Sequence, residues 1–458
     1  MMFLEVVHSE GLAHLSYILG DQGKAAVIDP RRDCGIYLDI AYRQGAQITH
    51  IFETHRNEDY VIGSTELAHR TGAKIYHGAE FPFQYGNGVQ ENDVFELGDL
   101  ILTILSTPGH TYESISIVLA DKSFGQDAIA VFTGDALFIG EVGRTDFFPE
   151  KRAEVAGLLY DSIFQKLLPL GDQVILYPAH GAGSVCGAGM AEREFSTLGY
   201  ERRNNPRLQM TDREQFIQFK VNEHHYNPPY FRQMEHYNAT GAPVFGRLPR
   251  PKPFAVDAFV QAMEAGMTVL DLRTPEAFAG AYIPGSLAIP LPMIPSYAGW
   301  LLPYDKPIGL VTDQYEDLET AVRYLLRIGY DQIQGYLHGG LHAWATEGRK
   351  YDSIPAVYAG DLKKALEAKE NNFILLDVRR QDEVAEGRLP GAMHVYLGEL
   401  PQRLNEIPKD CPITTFCGSG QRAIIAASIL KQHGYADVAD CLGSMAACQA
   451  LGCPIVTD

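Results

Sequence analysis

The strongest constraint on this chain is that part of it occurs twice. Val269-Leu-Asp-Leu-Arg273, followed by Ile283-Pro-Gly-Ser286, returns as Leu375-Leu-Asp-Val-Arg379 and Leu389-Pro-Gly-Ala392, 106 residues later. Farther on, Gly329-Tyr330 returns as Gly434-Tyr435 at an offset of 105. One residue of drift over such a distance means two copies of one domain, each about 100 residues long. Each copy opens with a helix, enters an apolar strand ending in Asp-x-Arg, and comes back through strand and helix, as a parallel α/β sheet requires.

A chain of 458 residues holds about three domains of ordinary size. The repeat divides that expectation unequally. Residues 1–250 form one domain whose polar, helical stretch from about 185 reads as an appendage. The two copies occupy 254–350 and 355–458. Three prolines within Arg247-Leu-Pro-Arg-Pro-Lys-Pro253 make a stiff linker ahead of the first copy. In the appendage, Tyr226, Tyr230, Phe231 and Tyr237 suit a lid or a dimer interface, and a homo-oligomer, dimer or tetramer, is the expectation.

With 46% hydrophobic and 21% charged residues, the composition is that of a globular chain with several cores. The net charge of −19 argues against a nucleic-acid partner, since phosphate-backbone binding rests on a positive face. No run of eighteen apolar residues occurs and the N-terminus lacks a basic segment, so the expectation is a cytoplasmic protein that does not engage a membrane. Seven cysteines in no small-domain pattern fit a compartment where thiols stay free. Five of them, Cys411, Cys417, Cys441, Cys448 and Cys453, crowd the last fifty residues, and none lies between Cys186 and Cys411.

In the first domain, short β runs alternate with helices, and four motifs follow strand-like segments: Thr54-His55-Arg-Asn57-Glu-Asp59-Tyr60, Thr107-Pro-Gly-His110, Thr133-Gly-Asp135 and Tyr177-Pro-Ala-His180. Their order resembles the metallo-β-lactamase superfamily, which implies an αββα sandwich over about residues 1–185. Dinuclear hydrolases of that superfamily carry two further histidines in the first motif, where this chain has Asn57 and Tyr60. Each of two metal positions has thus lost an imidazole. What survives, His55, His110 and Asp135, is the two-histidine, one-carboxylate pattern of non-haem Fe(II) oxygenases, which leaves three coordination positions open. Within the superfamily this is similar to the persulfide dioxygenase branch, and the resemblance implies one Fe(II) per chain, with Asp59 and His180 bonded to ligands or water around it. Gly143-Arg144-Thr-Asp-Phe147 resembles that branch and the glyoxalase II branch, which implies Arg144 near the mouth, facing a substrate carboxylate.

In the second copy, an apolar strand runs into Cys417-Gly418-Ser419-Gly420-Gln421-Arg422 and then a helix. Backbone N–H groups curled ahead of a helix N-terminus favour an anionic sulfur, and Gly418 and Gly420 permit the curl. With Asp377-x-Arg379 and Leu389-Pro-Gly-Ala392, this resembles the rhodanese family. Four residues rather than a phosphatase's five separate Cys417 from Arg422, which suits a sulfur site. Cys417 is the expected nucleophile, Arg422 orients an anionic donor or acceptor, and residues 418 to 421 line the site. The first copy places Thr312 or Val311 where Cys417 stands, in an acidic segment, and reads as the same domain without its nucleophile. Cys186, six residues beyond His180 in a glycine-rich loop, is a candidate sulfur relay.

The whole order resembles persulfide dioxygenase–rhodanese fusions. It implies oxidation of a low-molecular-weight thiol persulfide by O2 to sulfite and thiol, then sulfur exchange among thiosulfate, sulfite and thiols at Cys417. Two alternatives stand beside it: a glyoxalase II-like zinc thioester hydrolase fused to a sulfurtransferase, and a sulfur-carrier or docking protein with a dead metal domain.

Overall fold

A computed structural model describes residues 2–125, 127–184, 189–193, 195–368 and 372–457. They divide into two compact units, Met1–Leu248 with Leu326–Gly329, and Pro249–Leu325 with Tyr330–Asp458. Among the described residues no helix is long and apolar enough to cross a membrane.

The first unit is built from two six-stranded sheets. One runs in the order Phe3–Ser9, His14–Asp21, Lys24–Ile28, Gln47–Phe52, Lys74–Gly78, Asn87–Val89; the other runs Ser196–Thr197, Ile175–Pro178, Ala130–Gly134, Ile115–Asp121, Leu100–Ser106, Val94–Leu97. Period-two alternation decides the layering. In Ile115–Asp121, Ile115, Ile117 and Leu119 join the core shared with the facing sheet, while Val118 joins a second core under the helices. In Lys24–Ile28, Ala26 and Ile28 face the inter-sheet core, and Ala25 and Val27 face the helices Gly35–Arg43 and Ser64–Thr71. Both faces of these central strands are covered, giving helix, sheet, sheet, helix in four layers. A slip of one residue would exchange the two faces. Phe132, fully buried between the sheets, is a side chain whose truncation to alanine costs about 3–5 kcal/mol.

The stretch expected as an appendage is partly integral. Ser196–Thr197 is an edge strand of the second sheet, and Leu198, Leu208 and Phe216 lie in the core beneath that sheet's helices. Tyr230 and Phe231 are buried rather than displayed on a surface.

The second unit contains the two copies, each a five-stranded parallel sheet of the same order. The first runs Lys252–Phe254, Ile333–Leu337, Ile308–Val311, Thr268–Asp271, Leu287–Ala288; the second runs Ala356–Val357, Val438–Cys441, Ile413–Phe416, Ile374–Asp377, Met393–His394. Leu287 maps to Met393 at an offset of 106 and Ile308 to Ile413 at 105, so the one-residue drift falls between these strands. There the first copy has the helix Ile294–Leu301, and the second only the short helix Leu400–Arg403.

The Asp-x-Arg motif is structural in both copies. Asp271 and Arg273 form a buried pair at 2.7 Å, and Asp377 and Arg379 form another at 2.7 Å. Each arginine also donates to a carbonyl eight residues on, Ala281 at 2.8 Å or Gly387 at 2.9 Å, clamping the strand end to the helix that follows it.

Candidate metal centre and cysteine loop

The four motifs of the first unit all stand just beyond the C-terminal ends of strands, and three of their side chains converge. The side-chain ligand atoms of His55, His110 and Asp135 lie within 4.8 Å of one another, all buried. Asp135 Oδ2 is 3.7 Å from the Nε2 atoms of both His55 and His110. Two donors each about 2.1 Å from one ion stand roughly 3–4.2 Å apart, so the spacing fits a single metal ion. His55 Nε2 is buried without a hydrogen-bond partner.

The surroundings fix which nitrogen is offered. Thr54 donates from its hydroxyl to Asp29 at 2.7 Å, so it accepts from His55 Nδ1 at 2.9 Å and leaves Nε2 as a lone pair. Gly134, at φ +54°, is required here, because a Cβ would come within 2.7 Å of Thr54. His110 Nδ1 donates to the Arg144 carbonyl at 3.1 Å, again freeing Nε2. Gly109 sits so close to Leu159 that a Cβ would lie 2.4 Å from its Cα.

His180 does not join the three ligands. Its Nδ1 donates to Asp135 at 2.8 Å and its Nε2 faces Asp59 at 3.1 Å. Burial opposes a charge on this ring, but the carboxylates of Asp135 and Asp59 outweigh it and hold the imidazole well above its ordinary range. Burial likewise disfavours ionised Asp135, yet His180, His55 and His110 keep it well below the usual carboxylate range. The His180 ring thus stands between two carboxylates. Asn57 turns its amide to the His55 carbonyl at 3.3 Å, and Tyr60 packs on His14 with ring centroids 4.0 Å apart.

Sequence reasoning missed two residues of this centre. Glu58, 2% exposed, faces His110 Nε2 at 3.3 Å. His14, fully buried, is bonded through Nδ1 to Ser9 at 2.9 Å and lines, with His180, Ile139 and Arg193, a cavity of about 550 Å³. Glu58 sits inside the first motif, between Asn57 and Asp59, whereas His14 comes from the strand His14–Asp21, outside all four motifs.

Arg144 requires a correction. It is 1% exposed, not at a mouth: Nε and Nη2 both bond Asp146 at 2.7 Å, and Nη2 also donates to Asn227 at 2.6 Å. The carboxylate it meets is the protein's own, two residues on in the same motif. Cys186 lies outside the described residues.

In the second unit, the strand Ile413–Phe416 delivers Cys417 to a loop that closes on the helix Gln421–Gln432. Gly420 adopts φ +103° and donates its N–H to Cys417 Sγ at 3.1 Å. Ser444, which carried no sequence signal, accepts from the Cys417 N–H at 3.0 Å, and Met445 N–H donates to the Cys417 carbonyl at 3.0 Å. Ser419 is exposed, Gly418 and Gln421 half-buried. Arg422 forms a two-pronged pair with Glu383 at 2.6 and 2.7 Å. Cys441, Cys448 and Cys453 share the core beside Phe416. Burial pushes the Cys441 thiol up to about 12, as suits a structural thiol.

In the first copy, the strand Ile308–Val311 aligns with Ile413–Phe416 and puts Thr312 at the Cys417 position. Thr312 donates to the Gln314 carbonyl at 3.1 Å and accepts from the Gln314 N–H at 3.2 Å, so this loop is closed by its own side chain.

Residues 10–180 match the metallo-beta-lactamase superfamily, and residues 255–347 and 358–451 each match the rhodanese-like domain. The mouse mitochondrial persulfide dioxygenase ETHE1 is 30% identical over 220 residues, covering 45% of this chain and 76% of that protein. A sulfurtransferase of Allochromatium vinosum is 36% identical over 89 residues, covering 19% of this chain and 83% of its own. The crystal structure of a metallo-beta-lactamase from Staphylococcus aureus subsp. aureus COL aligns with a TM-score of 0.66 at 32% identity, over 73% of this chain and 98% of that one.

Proposed function

The chain belongs to the metallo-beta-lactamase superfamily, as an ETHE1-like member carrying two rhodanese-like domains, and on that premise we propose that it is a persulfide dioxygenase joined to a sulfurtransferase. The carrying observation is the metal centre: His55, His110 and Asp135 converge, while Asn57 and Tyr60, where dinuclear hydrolases have histidines, are engaged elsewhere. That arrangement favours one metal over two and so favours oxygen chemistry over thioester hydrolysis. His55, His110 and Asp135 would hold a single Fe(II), which would leave open coordination positions for a persulfide sulfur and O2. The overall change is RSSH + O2 + H2O → RSH + H2SO3, with glutathione persulfide as the expected type of substrate.

The protein's own groups prepare the site. The Asp29–Thr54 chain holds the His55 ring in one tautomer, and the Arg144 carbonyl does the same for His110. His180 Nδ1 fixes the Asp135 carboxylate, 2.8 Å from Oδ1 and 3.0 Å from Oδ2, while Oδ2 also faces the ligand nitrogens of His55 and His110. The Arg144–Asp146 pair anchors the loop whose carbonyl holds His110. At the other site, Cys417 takes the sulfane sulfur of thiosulfate or a persulfide and passes it to a thiol or sulfite, so the sulfite made by the first reaction is a substrate of the second.

Metal analysis with oxygen uptake tests the first half. One iron per chain and O2 consumption on glutathione persulfide are expected, both lost in His55→Ala. Two zinc ions per chain, with thioester turnover and no O2 uptake, would refute the dioxygenase reading.

A further inference from the structure

By sequence the helix Phe231–Thr240 belongs to a stretch that suits a lid or a dimer interface, and it lies well beyond residue 180, where the superfamily match ends. Its buried face is Phe231, Met234 and Asn238, spaced i, i+3, i+7 like a stripe packed on a core. The third member of that stripe is an amide. Asn238 is 1% exposed, and a buried amide is destabilising unless its donors and acceptor are bonded.

The bonds that satisfy it lead to the first motif. Nδ2 donates to the Asn57 carbonyl at 2.7 Å and to the Tyr60 carbonyl at 2.8 Å, and Oδ1 accepts from the Ile62 N–H at 2.9 Å. Two donors and one acceptor of a single side chain thus close the arc Asn57–Ile62. The carbonyls it holds belong to the two residues that stand in place of a dinuclear hydrolase's histidines. The Tyr85 hydroxyl, 3.0 Å from the Asn238 carbonyl, is also 2.9 Å from Glu53, so the same helix position reaches the motif at both ends. Within the arc, Glu58 meets His110 at 3.3 Å, and Asp59 meets His180 at 3.1 Å, which in turn meets Asp135 at 2.8 Å. Leucine would fill a place in the stripe equally well, so packing does not account for the amide. Three backbone groups of buried residues that it alone brings together do.

We propose that Asn238 is a positioning residue of the metal centre, fixing the arc Asn57–Ile62 so that Glu58 and Asp59 hold His110 and His180 where the ligands converge. This rests on the single-metal reading above only in the choice of Fe(II) as the ion. The appended helix then serves assembly of the centre rather than as a lid, and residues 10–180 do not by themselves complete the site.

The test is anaerobic Fe(II) titration of the full chain bearing Asn238→Leu, which keeps the apolar stripe and makes none of the three bonds. The dissociation constant should rise about tenfold to a hundredfold, as for a lost partner around a metal ligand. The visible absorption bands of the fully Co(II)-loaded variant should shift from those of the parent. An unchanged dissociation constant, or a lowered thermal midpoint with neither metal property altered, overturns the proposal and marks a residue needed for folding alone. The unmodified chain provides a second measurement that needs no variant. Amide exchange across residues 57–62 should slow about tenfold or more when Fe(II) is bound, because a clamp that favours the metal is favoured by it in return. Equal exchange with and without the ion overturns the proposal too. Failure of the dioxygenase reading is separate: it shows as two zinc ions per chain with thioester turnover, and leaves the comparison of the two chains' metal affinities standing.

Discussion

The two copies of the second unit have the same strand order and the same buried Asp-x-Arg clamp, yet their third strands deliver the chain to different loops. In one, Cys417 is followed by Gly418 and Gly420, and the Gly420 N–H turns onto the sulfur. In the other, Thr312 is followed by Asp313 and Tyr315, and the threonine hydroxyl closes the loop on itself. Asp317 stands where the second copy has Arg422, and Ala277 where it has Glu383. Fold and chemistry therefore rest on different residues of the same domain. Sheet order and clamp are kept by burial, while sulfur handling depends on a few side chains at one strand end that the core does not need.

Changing those few residues should give the largest effect. Cys417→Ser, which makes the second copy as silent as the first, should lower thiosulfate:thiol transfer by a factor on the order of a thousand or more. Transfer retained at that position would put the sulfur on another cysteine. The reverse change, Thr312→Cys, should create no transfer activity, because Asp313 and Tyr315 do not allow the curl that turns an N–H onto the sulfur; a gain of activity would show that the thiol alone separates the copies.

The shared clamp offers the next test. Asp271→Asn and Asp377→Asn each leave a buried arginine without its carboxylate, and each should cost about 3–5 kcal/mol in chemical denaturation. Similar losses in both copies would confirm that the clamp belongs to the fold. A loss confined to the second copy would tie it to sulfur transfer instead.

The smallest effect expected separates the copies by pH. Asp440 is buried at a position where the first copy has Gly335, and burial pushes its carboxyl up to about 7. The folded state then holds a proton that the unfolded chain has lost, so stability is greatest below the unfolded value of 3.8 and declines as the pH rises toward 7. Asp440→Asn should leave stability at pH 4 nearly unchanged and raise it at pH 8 by on the order of 2 kcal/mol. Equal pH profiles for the variant and the parent would show that the carboxyl is not held neutral.

Much of this was legible in the residue order. The repeat foretold two like sheets, and the four motifs foretold His55, His110 and Asp135 as neighbours, because each motif follows a strand and the C-terminal ends of those strands share one rim. Gly420 announced the curl of the cysteine loop, whereas the need for Gly109 and Gly134 shows only in the fold. What the sequence alone determined about this protein is what local chain geometry dictates: period-two strands, loops at their ends, a duplicated domain, and a thiol at a helix N-terminus in only one copy. The pairing of charged and hydrogen-bonding groups was decided by tertiary structure. Arg144 reads as a substrate ligand until the fold buries it against Asp146. His180 reads as a residue bonded to a metal ligand, and only the fold shows that its two partners are Asp135 and Asp59. The physical reason is that strand and turn preferences act between neighbouring residues, whereas the strength of a charge pair or hydrogen bond depends on how far the completed fold has removed it from water.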